Sequence, residues 1–376
     1  MPAPFPQAKQ GRPINSPPTG FPAFFDVRQP RVLTADPWAF LSELVATRVD
    51  RRQRDTGYSY TNQAWALFEA ASNPHVGSRP LLYYYSFLNL VKAALLIQGA
   101  PLAIKAEHGI ADPRSNQRRR LRLGGQRVLI QGLAQNHSQL FAEFIRVLGG
   151  STRRREVPVI ELLAQIPSIH RTFMRVTRRR RSIFTPIKAV KVLAAGGQVW
   201  ARVILRKDDG DVAATLPALK GRRGFRRHFQ QAFTEQSDEI WLETPVVPGQ
   251  RRGVDAAVRK VAEHFRETGI STVLTGEGYR FYFCNITPRH RLPQLAATYA
   301  AFFYLGSISR YKPDAFESLL SGGFSWVVHE RRTGTDCFLC VTYQMLSRKS
   351  ARSAAGLDAA AADSTTYSFL IGPPLK

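Results

Sequence analysis

Apolar residues recur every three or four positions over several long segments of the chain, which predicts helices. The first begins at Asp36-Pro37, where a capping side chain precedes a proline at the first helical position. The apolar segment 81–97 contains Asn89 and Lys92, so we expect a core helix rather than a membrane span. Further helices are predicted over residues 60–71, 79–98, 137–148, 219–233, 254–268 and 292–309, with another that begins at Pro313.

Shorter segments alternate apolar and polar residues on either side of glycines, which is typical of β-hairpins. One hairpin is predicted where 121–123 and 128–130 flank Gly124-Gly125, and a second where 190–193 and 199–205 flank Gly196-Gly197. A third joins 272–274 to 280–286. Together these elements predict an α+β fold that is mostly helical. An N-terminal helical bundle with a small β-hairpin precedes a mixed α/β region that returns to helices.

Composition divides the chain into four parts. Residues 1–33 are expected to be a flexible arm, because eight prolines fall within the first 30 residues. Residues 34–150 are expected to form the helical domain with its hairpin, and 151–350 a basic mixed domain with C-terminal helices. Residues 351–376, rich in Ala and Ser, are expected to form a loose tail.

The overall composition is that of a folded protein, with 44% hydrophobic and 11% aromatic residues. The N-terminal sequence MPAPFPQAKQGRP has no apolar core of the kind that a secretory signal requires. The three cysteines cannot all pair, which favours a reducing compartment. We therefore expect the protein to be cytoplasmic.

Charge is the most unusual property of the sequence: 53 Lys and Arg oppose 28 Asp and Glu, for a formal net charge of +25. Such a charge needs counter-anions, and nucleic acid is the usual one. Arginine enrichment can also come from the coding bias of a GC-rich genome, but that bias does not explain the shortage of acids. We therefore expect DNA or RNA, bound through its phosphates. A membrane is not expected, since no basic amphipathic helix is predicted.

The basic residues are clustered. Residues 151–230 contain 19 basic and 5 acidic residues, so this fifth of the chain carries +14 of the total charge. Guanidinium groups bind phosphate oxygens bidentately, and a groove lined by several of them follows a backbone without reading bases. A merely solvated basic face is the alternative. The residues predicted to bind nucleic acid are Arg118, Arg119, Arg120, Arg122, Arg153, Arg154, Arg155, Arg178, Arg179, Arg180, Arg181, Arg222, Arg226 and Arg227.

Three segments resemble the YaaC-like family of bacterial proteins. The first is RPLLYYYSFLNLVKA from Arg79, the second is His108-Gly109, and the third is FYLGSISRYKP from Phe303. They occur in the order and spacing of the family. The resemblance implies no particular reaction, but it singles out four residues as candidates for a shared role: Lys92, His108, Arg310 and Tyr311. For Lys92 and His108 the alternatives are an anion or ligand contact and a structural role, as a snorkelling lysine or a turn cap.

The first three helices also resemble the helical HEPN fold, and one motif fits a HEPN ribonuclease. Arg223 and His228 have the R-x4-H spacing that places both side chains on one helical face. There an imidazole moves a proton while a guanidinium stabilises the phosphorane. Against this, Gly224 replaces the usual polar residue, and the motif lies outside the HEPN-like helices.

Metal chemistry is not expected. Cys337 and Cys340 have C-x-x-C spacing, but a structural zinc site needs four ligands, and Cys284 and His290 are the remaining candidates. We therefore expect no metal and no cofactor. The sequence favours a non-catalytic protein that binds nucleic-acid phosphates, and we expect it to be a component of a larger bacterial assembly such as a phage-defence system. The alternatives are a metal-independent HEPN-type ribonuclease and a scaffold that binds an acidic protein.

Overall fold

The fold was analysed in a computed structural model of the protein. The residues that it describes are 12–13, 36–72, 77–100, 108–113, 123–133, 139–178, 182–221, 224–248, 254–275 and 278–321. All structural statements below concern these residues.

The described chain is an α+β structure with more helix than strand, which confirms the predicted fold class. The helices are α1 (Pro37–Arg48), α2 (Arg54–Ser72), α3 (Arg79–Ile97), α4 (Leu140–Val147), α5 (Val159–Ala164), α6 (His170–Val176), α7 (Gly210–Lys220), α8 (Phe225–His228), α9 (Val254–Thr268), α10 (Gln294–Tyr311) and α11 (Pro313–Leu319). The strands are β1 (Arg12–Pro13), β2 (Ile110–Ala111), β3 (Arg127–Ile130), β4 (Arg155–Pro158), β5 (Phe184–Ile187), β6 (Ala189–Ala195), β7 (Gln198–Arg206), β8 (Gln230–Ala232), β9 (Glu239–Glu243), β10 (Val247–Pro248), β11 (Ile270–Thr275) and β12 (Gly278–Cys284).

The described residues form two compact units. The helical unit contains those up to Phe184 and those from Cys284 onward, apart from β1. The sheet unit contains Thr185–Phe283 together with β1. The helical unit therefore includes residues on both sides of position 150, where composition predicts a domain boundary. The physical reason is that α10, late in the chain, packs against α3.

Helix α3 forms the centre of the helical unit, packed against α2, α10, α1 and α4. Phe87 and Leu95 are fully buried on it, and the ring of Tyr299 from α10 stacks on Phe141 with centroids 5.1 Å apart. By length and composition α3 would pass as a membrane-spanning helix, but 72% of the apolar window is buried inside the protein. This burial agrees with the predicted core helix.

A small antiparallel sheet in the helical unit has the strand order β2-β3-β4. Val128 pairs with Val157 and Ile130 with Ile110 across it, and all four side chains are buried. Leu123, predicted to end the first strand of a hairpin, instead belongs to the 3-10 turn Leu123–Gly125. The partners of β3 are thus β2 and β4, which present apolar residues to the core.

The sheet unit is built on the strand order β1-β6-β7-β9-β8, with β10 also paired to β7. The hairpins predicted at Gly196-Gly197 and between 272–274 and 280–286 are present as β6–β7 and β11–β12. Helix α9 packs on β7 through a core that contains Val261 and Phe265. A second sheet in this part of the chain has the order β11-β12-β5.

The prediction of a single basic helix over 219–233 is wrong. Helix α7 ends at Lys220, α8 is a separate short helix, and β8 follows it. The break comes at Gly224, whose φ of 101° is incompatible with a continuing right-handed helix. The new direction buries Phe225 and Phe229 in the core of the sheet unit.

Candidate functional site

An open cavity of about 440 Å³ lies in the helical unit, and arginine side chains dominate its lining. Three guanidinium groups, one carboxylate and one imidazole border it. Several guanidinium groups around one cavity suit the binding of phosphate or carboxylate oxygens, because each presents N–H donors in a planar fork. The lining residues are Arg127, Arg155, Glu156, Arg289 and His290.

The pairing of β3 with β4 brings the first two arginines to the cavity. Arg127 and Glu156 lie on the same face of this sheet, and their side chains form an ion pair of 3.9 Å between Nε and Oε2. Both side chains are more than a third exposed, at 40% and 48%, so the pair is weak and Arg127 remains accessible to a ligand. The buried residues Val128 and Val157 on the opposite face hold the two strands in register.

Arg155 is half-buried on the edge strand β4. Its Nη1 donates hydrogen bonds to the carbonyl oxygens of Ser151 (2.8 Å) and Arg153 (3.1 Å). Its Nε is buried and has no hydrogen-bond partner within the described part of the chain. Burial lowers the pKa of this guanidinium, which stays protonated at neutral pH because arginine ordinarily titrates far above it. An oxyanion at this residue would satisfy the buried N–H group and offset its desolvation.

Arg289 comes from a distant part of the sequence and is held by a buried amide. Gln165, which is 3% exposed at the end of α5, donates from Nε2 to the carbonyl of His290 (3.0 Å). Its Oε1 accepts a hydrogen bond from the backbone N–H of Leu292 (2.8 Å). His290 Nδ1 also lies 2.7 Å from Oε2 of Glu161. These bonds attach the 288–292 segment to α5, while the Arg289 side chain stays exposed beside the cavity.

The predicted arginine clusters are distributed between the two units. Arg153 and Arg154 are exposed in the segment that enters β4, directly before the cavity residue Arg155. Arg178 is exposed in the helical unit, whereas Arg226 and Arg227 are exposed on α8 of the sheet unit. Convergence of all these clusters on one surface stays a prediction. The arginines that lie outside the described residues are Arg118, Arg119, Arg120, Arg122, Arg179, Arg180, Arg181 and Arg222.

One of the family-motif residues, His108, contacts Tyr84 of α3. The Tyr84 hydroxyl is 3.2 Å from Nδ1 of His108. Burial, together with the charge of Lys92, lowers the pKa of His108. Lys92 is itself half-buried, and its Nζ lies 5.0 Å from the centre of the Tyr60 ring. The first two family segments thus meet in the fold.

The third family segment reaches the same helix. At the end of α10, Arg310 donates from Nη1 to the hydroxyl of Tyr85 on α3 (2.8 Å). Its guanidinium also lies 5.0 Å from the centre of the Tyr311 ring. Tyr311 is 67% exposed, which is unusual for a large aromatic side chain. These contacts join α10 to α3 and leave one aromatic ring in solvent.

The ribonuclease motif is described only in part. Arg223 lies outside the described residues, so its relation to His228 stays untested. His228 has a partner that the sequence did not predict: its Nδ1 is 3.0 Å from Nδ1 of His264 on α9. Burial lowers the pKa of both imidazoles, and His228 further lowers that of His264, to about 4. The two side chains are therefore neutral at pH 7, and a hydrogen bond between them requires that one Nδ1–H donates to the Nδ1 of the other.

Arg127, Arg289 and His290 were missed as binding residues in the sequence. Arg127 is not part of a basic run, Arg289 is part of only a short one, and the sequence suggested His290 only as a metal ligand. Among the described residues, no group of three or more His, Cys, Asp or Glu side chains is placed to hold a metal ion. The only available signal was the run Arg289-His290-Arg291 after Pro288, which is too short to stand out in a chain with 53 basic residues.

The fold and this cavity define an α+β protein with an arginine-lined site in its helical unit. A family model described as YaaC-like protein matches residues 26–330, most of the chain. The chain therefore belongs to the YaaC-like protein family. No curated protein and no solved structure matches it.

Proposed function

We propose that this protein binds the phosphate backbone of nucleic acid, without catalysing a reaction, through the arginines around the cavity of the helical unit. The observation that carries the proposal is the gathering of Arg127, Arg155 and Arg289 around one cavity with a single carboxylate, Glu156. Arg155 adds a buried Nε that has no hydrogen-bond partner among the described residues. Phosphate oxygens satisfy such donors and neutralise the excess positive charge.

The exposed side chains of Arg153 and Arg154 directly precede the cavity residue Arg155 in the chain and add two positive charges there. A track of guanidinium groups binds a polyanion more strongly than a single small anion, since each contact releases counterions. The net charge of +25 supports the same partner, because it favours association with any extended polyanion. Contacts of this kind position a nucleic acid without reading its bases.

The test measures the affinity for labelled DNA and RNA oligonucleotides, single-stranded and duplex, by fluorescence anisotropy over a series of salt concentrations. We expect the logarithm of the binding constant to fall linearly with the logarithm of salt, and similarly for unrelated sequences. Arg289→Ala and Arg127→Ala should each reduce the slope by about 0.9 on duplex DNA, or about 0.7 on single strands, if each removes one phosphate contact.

The matched control is Arg51→Ala. Arg51 is an exposed arginine of the same unit that does not line the cavity, so its loss removes the same charge from a different place. Equal slopes for the cavity variants and the control would show that the cavity is not the binding site. A slope near zero for the wild-type protein would overturn nucleic-acid binding and favour an acidic protein partner.

A further inference from the structure

The end of helix α10 presents an aromatic ring to solvent beside a guanidinium group that is itself held in place. Tyr311 is the last residue of α10, and its side chain is 67% exposed. The guanidinium of Arg310 lies over the Tyr311 ring, 5.0 Å from its centre. The same group donates from Nη1 to the hydroxyl of Tyr85 on α3 (2.8 Å). We call Tyr85, Arg310 and Tyr311 together the Tyr311 platform.

Close packing of α3 against α10 brings these side chains together. Gly306 of α10 is buried where the two helices meet, and a Cβ atom there would lie 3.2 Å from Cβ of Tyr84 and 3.3 Å from Cα of Leu81. The backbones therefore approach closely at this glycine. Arg310 follows Gly306 by four residues and lies on the same helical face. The packing thus places the arginine within reach of Tyr85.

The backbone ends α10 directly after the exposed ring. Proline disfavours helical conformation in the preceding residue, and Lys312, which precedes Pro313, has a φ of −144° and a ψ of 60°. The N–H of Lys312 still donates to the carbonyl of Ile308 (2.9 Å). Pro313 then begins α11, on which Phe316 is buried. Because packed helices lie on both sides of Tyr311, little ordering is needed when a ligand contacts it.

The surroundings of Tyr311 favour a flat ligand over a protein surface. Arg310 and Asp314 are exposed and charged, and Lys312 is half-buried. The centre of a protein interface is apolar and depleted of charged residues, which this arrangement does not offer. A nucleobase needs only one face of an aromatic ring, and every base has such a face. The positive charge of Arg310 also favours a ligand that carries phosphates.

We propose that Tyr311 stacks on one unpaired base of single-stranded DNA or RNA, while Arg310 supports the ring by its cation–π contact. The proposal adds to the proposed function and rests on it, since phosphate contacts bring the strand to the protein. Bases inside a duplex are already paired and stacked, so Tyr311 has no base to contact there. The platform therefore gives a preference for single strands, which phosphate contacts alone do not explain.

The experiment compares the full-length wild type with Tyr311→Ala by fluorescence anisotropy. The labelled ligands are single strands of DNA and of RNA, a DNA strand in which abasic sites replace the bases, and a duplex. Tyr311→Ala should weaken single-strand binding about 5- to 150-fold, the range for loss of one stacked base. Its affinity for the abasic strand and for the duplex should be unchanged. Tyr311→Phe keeps the ring and should retain most of the affinity. An effect on one type of single strand alone assigns that nucleic acid as the ligand.

The matched control is Phe233→Ala, which removes a ring that is 77% exposed in the sheet unit and should change no affinity. Equal losses in Phe233→Ala and Tyr311→Ala, or unchanged single-strand affinity in Tyr311→Ala, would overturn the proposal. A change in oligomeric state on size-exclusion chromatography, with unchanged affinity, would instead assign the ring to a contact between copies of the chain.

The salt dependence separates this proposal from the arginine cavity. Tyr311→Ala removes no charge, so the slope of the binding constant with salt should stay as in the wild type. The cavity variants, in contrast, should reduce that slope. Failure of the cavity therefore appears in the slope, whereas failure of the platform appears in the single-strand affinity.

Discussion

Replacing Gln165 with leucine should destabilise the helical unit and disturb the arginine cavity at the same time. The Gln165 side chain is 3% exposed and makes three hydrogen bonds to the backbone, at 2.8–3.0 Å. Leucine has a similar size, but it cannot donate or accept. The change therefore leaves the carbonyl of His290 and the N–H of Leu292 buried without these partners.

The magnitude follows from the groups left unsatisfied. Each buried backbone group that loses its partner costs about 1–3 kcal/mol, so two of them cost about 2–6 kcal/mol. The additional apolar surface that leucine buries offsets about 1–2 kcal/mol of this. The middle of each range gives an expected fall in the free energy of unfolding of about 2.5 kcal/mol. The 288–292 segment should also loosen, which weakens nucleic-acid binding because Arg289 is no longer held beside the cavity.

Denaturant unfolding followed by circular dichroism measures the first effect as a lower midpoint with an unchanged m-value. Fluorescence anisotropy measures the second. The matched control is Gln63→Leu, the same substitution at an exposed position of α2, where little change is expected. If Gln165→Leu and Gln63→Leu differ by less than about 0.5 kcal/mol, the buried amide does not hold the segment and the reasoning is refuted.

Three further perturbations test the core, a backbone restraint and the histidine pair. Leu88→Ala on α3, where the side chain is 4% exposed, should cost about 2–5 kcal/mol in denaturant unfolding, and a loss below about 1 kcal/mol would contradict the buried position. Gly109→Ala should lower the stability by about 1–3 kcal/mol, measured in the same way, because the φ of 74° strains any other residue. The pKa of His264 is lowered to about 4 from 6.5, so the unfolded chain binds the proton more tightly, and the stability should fall as the pH decreases from about 7 to 4. Because His264 is partly exposed, we expect the free energy of unfolding to fall by about 1 kcal/mol over this pH range. Thermal melts of His264→Gln should depend less on pH than those of the wild type. An unchanged pH dependence in this variant would contradict the prediction.

Local signals in the sequence were sufficient for many elements of the fold. The start of α1 was predicted from Asp36-Pro37, and in the structure the Asp36 side chain accepts hydrogen bonds from the backbone N–H groups of Trp38 and Ala39. Gly196-Gly197 likewise marked the turn between β6 and β7. Such signals act between residues that are close in the chain, so they are readable without the tertiary structure.

The basic helix over 219–233 shows where local signals fail. Its charge pattern fitted a helix, but burial of Phe225 and Phe229 in the core of the sheet unit outweighed that pattern. Helical backbone is interrupted at Gly224, and the short elements α8 and β8 follow instead of one continuous helix. Helix propensity is a weak prior, and tertiary packing overrides it when it buries large aromatic side chains.

Only the tertiary structure determines which residues line the arginine cavity. The arginine clusters in the sequence pointed to a set of residues between 118 and 227, and among the members of that set that the structure describes, Arg155 is the one that lines the cavity. Arg127 joins it through the register of β3 and β4, and Arg289 joins it because Gln165 holds a segment that comes much later in the chain. The sequence by itself determined that the protein is strongly basic, mostly helical and a member of its family. Where the charge converges depends on strand register and on buried hydrogen bonds between residues far apart in the chain, and a one-dimensional count of charge contains neither.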